Sequence, residues 1–476
     1  MKQKWIAILL LLNLLLALTL PVCATGETDP SHNDIMDLPG VDGFSVPTKA
    51  ALLVELNSNT VLYALDATER NYPASLTKIM TCMLAIENGN MEDMVTVSEN
   101  ALANLHAAGS TAELQVGEEM SLRNLLYCLM ISSGNDAANV IAEHIGGSIP
   151  EFVDMMNSRA AELGCTRTNF ANPHGLHDEN HYTTAQDLYR IVTEAMKYPL
   201  FLEITNTPDY VVPATNLSEE RTLRTTNMLI STAGNNSWKY SKAAGIKTGF
   251  TTPAGRCLIS TAEDGDMKLL GIIMGAETAQ DALGDYSVQR SFPECINMFE
   301  YGFHTFSFST VLTTLYPIAE IQVNQSAGSQ TVALAPTEPI RTLVEAGVEQ
   351  KDLDLDIRLV ADSVTAPVEA GEILGEVTVS YNGRILGTCP LGAITSVARS
   401  EITHQVEEVK TSVANNWWKW LLFIPLGLAA LLIIVIILLQ VYRRRQRRRK
   451  VAARRRALEL KRRKEALGSS WYDMEE

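Results

Sequence analysis

Three short motifs carry side chains that could perform nucleophilic chemistry, and they follow one another along the 476-residue chain. They are Ser75-Leu76-Thr77-Lys78, then Ser133-Gly134-Asn135, then Lys247-Thr248-Gly249. Average composition predicts about two chance S-x-x-K matches in a chain of this length, but only about 0.1 K-T-G matches. The ordered trio is therefore the informative signal, and it predicts a serine nucleophile with lysine partners.

The first motif pairs a nucleophile with a base. Pro73 and Ala74 precede Ser75 at the predicted start of a helix, so Ser75 would lie in the first turn and Lys78 one turn later on the same face. A serine hydroxyl needs an adjacent base, and a lysine acts as one only if burial or a second cation lowers its pKa. Lys247 could be that cation. The positive end of the helix would also favour an oxyanion near Ser75.

The second motif could move a proton and hold a substrate. Gly134 allows a sharp turn that aims two short polar side chains into a cleft. Ser133 could relay a proton between a lysine and the leaving nitrogen, and Asn135 could hydrogen-bond a substrate amide. Ser and Asn are also favoured helix caps, which is the alternative for this motif taken alone. The two flanking motifs favour the catalytic interpretation.

The third motif lies on a predicted strand edge. Gly249 would let a substrate chain approach the backbone and pair with it, while Lys247 and Thr248 would bind a terminal carboxylate. Residues 243–246 are apolar and small, which indicates that Lys247 is not on a solvated face.

Together with further segments, these motifs resemble the D-alanyl-D-alanine carboxypeptidases, the low-molecular-mass penicillin-binding proteins. The resemblance covers roughly residues 44–303. It includes the segments YPASLTKIMT at 72–81, SSGNDAA at 132–138 and NPHGL at 172–176. Residues 379–383 and 390–391 are similar to the small β domain that follows in many members.

The resemblance implies a reaction and its site. Ser75 would be acylated by a peptidoglycan stem peptide with release of the last D-alanine, Lys78 would be the base, and water would release the acyl group. The backbone N–H groups of Ser75 and Phe250 would form the oxyanion hole. Members often carry His or Tyr after K-T-G, so Phe250 departs from the pattern. β-Lactams would be covalent inhibitors, and neither a cofactor nor a metal is expected.

The hydrophobic pattern predicts an α+β fold, with an antiparallel sheet and a helical insertion. Residues 50–64 read as a hairpin, and later strands are expected at 257–261 and 268–274. Helices are expected at 76–87, 122–130, 137–144, 149–163 and 292–303. The catalytic domain would span 44–303, and alternating runs with an Asn-Gly turn predict a small all-β domain at 308–398.

The ends of the chain carry targeting signals. Residues 1–24 read as an export signal, with an uncleaved anchor as the alternative, and 25–43 as a flexible leader. Residues 401–419 would be a spacer, helical or extended. Residues 420–442 contain no charge and predict one transmembrane helix. The basic tail at 443–476 would then be cytoplasmic and the catalytic domain outside the cell membrane.

Charge and cysteine content narrow the function classes. The net charge is −16, although residues 443–476 hold 14 Lys/Arg against 5 Asp/Glu. The remaining chain is too acidic to favour nucleic acid. The basic tail could suggest nucleic-acid binding, but its position next to the membrane favours contact with anionic lipids. Six cysteines after residue 24 are widely scattered and read as small buried residues, with no pairing assigned.

Several alternatives remain open. Three histidines with an aspartate could approach a zinc ion, but their loop is read as structural; these residues are His174, His177, Asp178 and His181. A class A β-lactamase would need a Glu-x-x-Leu-Asn loop, and residues 203–206 have the wrong spacing. Endopeptidase action on crosslinks uses the same groups. A non-catalytic muropeptide or β-lactam sensor is the alternative from a different class.

Overall fold

The computed structural model describes residues 36–37, 43–103, 105, 109–234, 236–279 and 288–468. The predicted export signal lies outside these residues. The chain divides into two compact units. The first comprises the residues up to Val311 together with Arg341–Asp352, and the second comprises Leu312–Ile340 and the chain from Leu353 onward.

The first unit is built on a twisted sheet of five main strands. These are β1 (Ala50–Glu55), β2 (Thr60–Leu65), β3 (Ala243–Thr251), β4 (Gly255–Asp264) and β5 (Met267–Ala276). Their order is β2-β1-β5-β4-β3, all neighbours are antiparallel, and a two-residue strand at 36–37 joins β2. Strands β1 and β5 are buried nearly throughout because both faces are covered. Strand β3 forms the edge of the sheet.

Helices cover the two faces of this sheet. Those used below are α1 (Lys78–Asn88), α2 (Leu122–Met130), α3 (Asn135–Gly146), α4 (Ile149–Glu162), α5 (Ala185–Ala195) and α6 (Ser291–Thr305). Helices α1 to α5 share one apolar core with one face of the sheet, and α6 packs on the other face. Ser121, Ser148 and Thr184 cap α2, α4 and α5, each stabilising its helix by about 1 kcal/mol.

Shorter elements complete the first unit. A 3₁₀ turn at Ala74–Thr77 leads into α1, and further short helices lie at Glu99–Leu102, Pro199–Thr205 and Gln350–Asp352. Paired short strands are Met94–Thr96 with Glu119–Ser121, Asp209–Val212 with Arg221–Arg224, Thr278–Ala279 with Val288–Gln289, and Phe306–Leu312 with Ile340–Glu345.

The α+β prediction is confirmed. The predicted hairpin, helices and later strands all appear, each within a few residues of the predicted bounds. The helix expected from residue 76 begins instead as a 3₁₀ turn, and regular α-helix starts at Lys78. Ala74 there has a φ of +48°, which brings the chain into the turn at a sharp angle.

The second unit contains a six-stranded, largely antiparallel sheet. Its strands in spatial order are Asp354–Leu359, Ile373–Tyr381, Arg384–Ala393, Thr331–Pro336, Ala319–Asn324 and Ser363–Thr365. Asn382 and Gly383 both have positive φ, as a tight hairpin turn of Asn-Gly type requires. The predicted all-β character of this region is therefore confirmed.

One continuous helix runs from Glu401 to Gly468. The spacer predicted at 401–419 is thus helical, and the helix also extends through most of the basic tail, to which the sequence assigned no structure. The segment Phe423–Arg463 is long and apolar enough to cross a membrane, and its apolar stretch has no buried residues.

The six cysteines in the described residues are unpaired and buried. Burial raises the pKa of the Cys257 thiol to about 11 and the pKa values of Cys128 and Cys165 to about 12. The interpretation of these residues as small buried side chains is confirmed.

Gly175 provides a test of how tightly this fold is packed. A Cβ at Gly175 would lie 1.9 Å from the Ala74 carbonyl oxygen, and its φ is +88°. We expect Gly175→Ala to lower the free energy of unfolding by about 3 kcal/mol or more, from overpacking and strain together. Thermal unfolding of the detergent-solubilised chain measures this change.

Gly265→Ala is the matched control. Its φ of +58° carries similar strain, but nothing lies within 4 Å of the added Cβ. We expect Gly265→Ala to lower the free energy of unfolding by only about 1 kcal/mol. Equal melting temperatures for the two variants would show that the contact with Ala74 does not constrain the fold.

Candidate active site

Ser75 is half-buried in the 3₁₀ turn that precedes α1, between neighbours that are fully buried. The turn that carries it is fixed by the Thr77 hydroxyl, which donates to the Ala74 carbonyl oxygen at 2.8 Å. The same hydroxyl lies 2.7 Å from Nε2 of His181. The nucleophile predicted from sequence therefore sits on a backbone turn that side chains hold in place.

Lys78 is the centre of the site. Its side chain is 0% exposed, and Nζ lies 3.0 Å from Oγ of Ser75, 2.7 Å from Oδ1 of Asn135 and 2.7 Å from the carbonyl oxygen of His174. An ammonium group has three hydrogens, and here three oxygens accept them. When the amine is neutral, two of these bonds can persist while its lone pair accepts the Ser75 proton.

The electrostatic surroundings favour that neutral amine. Desolvation is the largest cause that lowers the pKa of Lys78 well below its usual value, and the positive charge of Lys247 lowers it further. The carboxylate of Asp136 acts in the opposite direction and raises the pKa. The Lys78 amine is therefore easier to deprotonate than a solvated lysine, which is the condition for a lysine to act as a base.

The loop with the second motif brings Asn135 to Lys78. Ser133 has a φ of +62°, and Gly134 occupies the N-cap position of α3 without a side-chain cap. Asp136, which is 2% exposed, instead accepts from the backbone N–H groups of Ala112, Leu114 and Ala137. Helix capping by Ser133 or Asn135 is therefore not what these two side chains do.

Asn135 already has partners within the protein. Its Oδ1 accepts from Lys78 Nζ, and its backbone N–H donates to the Ser110 carbonyl oxygen at 2.9 Å. The Oδ1 atom is thus already paired, which leaves the side-chain NH₂ group for a substrate carbonyl. Ser133 lines the same cavity as Ser75.

The third motif lies on edge strand β3. Lys247 is 1% exposed, as its apolar flank predicted, and burial lowers its pKa to about 7. Its Nζ donates to the Thr248 carbonyl oxygen at 3.1 Å. The Thr248 hydroxyl lies 2.5 Å from that of Thr226, a residue that the sequence did not single out.

Gly249 allows β3 to approach the nucleophile. A Cβ at Gly249 would lie 3.0 Å from the backbone N of Ser75 and 3.1 Å from Cβ of Ala74. Any other residue would push the strand away from the turn. The backbone N–H groups of Ser75 and of the residues after Gly249 are thereby held on neighbouring segments.

The loop at 172–176 supplies the His174 carbonyl. Asn172 folds it by accepting from Gly175 N at 2.7 Å and donating to Leu176 O at 2.9 Å, and the Thr81 hydroxyl ties the Pro173 carbonyl to α1 at 2.6 Å. This backbone contact with Lys78 carries no residue-type signal, so sequence reasoning missed it.

The histidines of this region have separate partners. Nδ1 of His181 accepts from Ala171 N, Nδ1 of His174 accepts from Leu176 N, and the His177 ring packs edge-on against Tyr72. Burial lowers the pKa of His174 to about 3 and that of His181 to about 4, so both are neutral. Within the described residues no cluster suited to a metal ion forms.

A cavity of about 950 Å³ joins the three motifs. Ser75, Ser133, Asn135, Thr248, Gly249 and Phe250 line it. Lys78 and Lys247 are buried and are not among the residues that line it. A hydroxyl beside a buried amine, with amide donors and a cation nearby, is equipped for acyl transfer through a covalent serine intermediate.

Comparison with known proteins places this site in a family. Residues 39–278 match the family model described as D-alanyl-D-alanine carboxypeptidase, and residues 316–399 match penicillin-binding protein 5, C-terminal domain. The chain is 33% identical over 351 residues to D-alanyl-D-alanine carboxypeptidase DacF of Bacillus subtilis, covering 72% of this chain and 84% of that protein.

A second relative and a solved structure indicate the same family. The chain is 27% identical to D-alanyl-D-alanine carboxypeptidase DacA of Haemophilus influenzae, covering 82% of this chain and 92% of that protein. A crystal structure of penicillin binding protein 5 from the same organism superposes with a TM-score of 0.54 at 27% identity, covering 76% of this chain and all of that one. The chain therefore belongs to the D-alanyl-D-alanine carboxypeptidase family.

Proposed function

We propose that the protein is a serine carboxypeptidase that removes the terminal D-alanine from peptidoglycan stem peptides through an acyl-enzyme, and that β-lactams inhibit it by acylating the same serine. The observation that carries this proposal is the 3.0 Å contact between a buried lysine amine and the Ser75 hydroxyl. The named activity of the relatives supplies the substrate class.

The proposed acylation step assigns the residues as follows. Neutral Lys78 takes the Ser75 proton while Oγ attacks the carbonyl carbon of the penultimate D-alanine. The backbone N–H groups of Ser75 and Phe250 stabilise the resulting oxyanion. Their proposed pairing is supported by the close approach of β3 at Gly249. Breaking the peptide bond leaves an ester on Ser75.

The leaving D-alanine needs a proton and a carboxylate partner. Ser133 relays the proton from Lys78 to the leaving nitrogen, and the NH₂ group of Asn135 holds the substrate amide. Lys247 and Thr248 bind the terminal carboxylate, and a peptide strand pairs with the backbone of β3 at Gly249 and Phe250. Water, activated by Lys78, then hydrolyses the ester and restores the serine.

Membrane attachment forms the second part of the proposal. The helix at 420–442 anchors the chain, with the catalytic domain at 44–303 and the β domain at 308–398 outside the membrane and the tail at 443–476 in the cytoplasm. The apolar helical stretch and the arginines after it support this orientation. Residues 1–24 would be removed after export.

Replacing the nucleophile tests the enzyme assignment. We expect Ser75→Ala to abolish labelling by a fluorescent penicillin and to lower release of D-alanine from a pentapeptide by about 10⁴-fold or more. The control is Ser132→Ala, because the Ser132 hydroxyl donates to the Cys128 carbonyl rather than facing the reaction. If the wild type were labelled but released no D-alanine, the sensor alternative would replace this proposal.

The pH dependence of acylation tests the role of Lys78. The charge of Lys247 lowers the pKa of Lys78, so removing that charge with Lys247→Met should raise this pKa and reduce the neutral fraction at a given pH. The rising limb of the β-lactam acylation rate should therefore move to higher pH, whatever the loss in amplitude. Stopped-flow acylation across the pH range measures it, and an unmoved limb would remove Lys78 as the base.

Protease accessibility tests the orientation. The test uses the chain with an epitope fused after Glu476. Trypsin added to intact protoplasts should degrade the catalytic domain and leave a tagged fragment that contains the helix and tail. Permeabilised cells should lose the epitope as well. Loss of the epitope in intact protoplasts would contradict a cytoplasmic tail.

A further inference from the structure

Arg256 lies in the wall of the same cavity as Ser75, and none of the steps proposed above uses it. It occupies the second position of β4, directly across from Phe250 on β3. Its guanidinium carbon lies 4.0 Å from the centroid of the Phe250 ring, which is the geometry of a cation–π contact. The ring, 48% exposed at the cavity, holds the guanidinium beside the edge of the sheet.

No carboxylate in the part of the chain that the structure describes neutralises the charge of Arg256. Its Nε is buried without a hydrogen-bond partner, and no carboxylate in the described part of the chain forms an ion pair with it. Asp178 also lines the cavity but makes no such pair. Desolvation lowers the pKa of Arg256, although arginine stays charged at neutral pH. A half-buried cation in this state is stabilised by an incoming anion.

A second cation adds to the positive potential at this end of the cavity. Lys49 donates from Nζ to the Pro253 carbonyl oxygen at 3.2 Å, in the turn between β3 and β4. Two cations thus lie near this turn, although the chain as a whole is acidic. Their charges attract an anionic group that enters the cavity toward this end.

The strand direction indicates which part of a substrate reaches Arg256. The neighbour of β3 is antiparallel, and a peptide added to its free edge in the same manner runs opposite to β3. With its terminal carboxylate at Lys247 and Thr248, its preceding residues then extend toward Phe250 and the turn. The side chain before the D-alanyl-D-alanine end is therefore the one that passes Arg256.

We propose that Arg256, stacked on Phe250, binds a carboxylate on the side chain of the third residue from the substrate's C-terminus. The enzyme then prefers stem peptides in which this acidic group is free rather than amidated. This inference rests on the proposed function, because it uses the same cavity and the same placement of the terminal carboxylate.

The test compares two N-acetylated tripeptides that end in D-alanyl-D-alanine. Their first residue has a long aliphatic side chain that ends in a carboxylate in one peptide and in the primary amide in the other. Charge-assisted hydrogen bonds to a partly desolvated arginine predict a kcat/KM for D-alanine release about tenfold higher for the carboxylate. Arg256→Gln should bring this ratio close to one, and Arg256→Lys should retain part of it.

Arg70→Gln is the matched control. Its guanidinium carbon lies 4.2 Å from the Tyr182 ring centroid, so it is also stacked on an aromatic ring, but Arg70 does not line the cavity. This variant should keep the wild-type ratio. Labelling by a fluorescent penicillin verifies that each variant is folded, and the ratio does not depend on the active fraction.

The outcomes separate this inference from the function on which it rests. Release of D-alanine from both peptides at equal rates by the wild type, or a preference that survives in Arg256→Gln, would overturn the role of Arg256 alone. Release from neither peptide, without acylation by penicillin, would overturn the proposed function itself. A matched pair of antibiotics gives a second readout, because carbenicillin differs from benzylpenicillin by one additional side-chain carboxylate. Arg256→Gln should lower the acylation rate by carbenicillin, relative to that by benzylpenicillin, below the wild-type ratio.

Discussion

The site depends on burying one amine among three oxygens. Lys78 is fully enclosed, and leaving such a group without partners would cost several kcal/mol, so its contacts with Ser75, Asn135 and the His174 carbonyl oxygen are conditions of folding as well as of chemistry. Each of the three oxygens belongs to a different segment of the chain. The amine thus links the turn at the start of α1, the loop before α3 and the loop at 172–176, and burial of the same group lowers its pKa.

Two glycines set how closely these segments approach one another. Gly175 lies against the Ala74 carbonyl, and Gly249 lies against the Ser75 backbone N. The turn with the nucleophile is therefore enclosed by backbone on two sides, with little room to relax. Such close contacts position the hydroxyl before substrate arrives, which is the pre-organisation that acyl transfer requires. Gly249 was visible in a motif, whereas Gly175 gains its meaning only from the contact.

Much of the fold could be predicted because the relevant signals are local. Alternating apolar runs located the hairpin at 50–64, and helical periodicity located α2 to within its exact bounds of residues 122–130. The apolar flank of Lys247 likewise indicated its burial. The helix in the basic tail was not predicted, since a run of like charges carries no amphipathic pattern from which to infer a helix.

The parts of the site that sequence could not reveal are contacts made by backbone or by residues with ordinary local roles. The His174 carbonyl would be the same for any residue at that position. Thr226 becomes relevant only because the fold brings the segment after the Arg221–Arg224 strand to Thr248. The sequence assigned no separate role to Asp136, which lies between the second motif and the predicted helix at 137–144. Its carboxylate accepts from three backbone N–H groups and so fixes the loop that presents Asn135. Because that carboxylate also raises the pKa of Lys78, the residue that builds the loop opposes the effect of Lys247. Burial is therefore the main cause of the lowered pKa of the amine. Two buried charges of opposite sign shift this pKa in opposite directions, and both are positioned by the fold and not by the motif that contains the lysine.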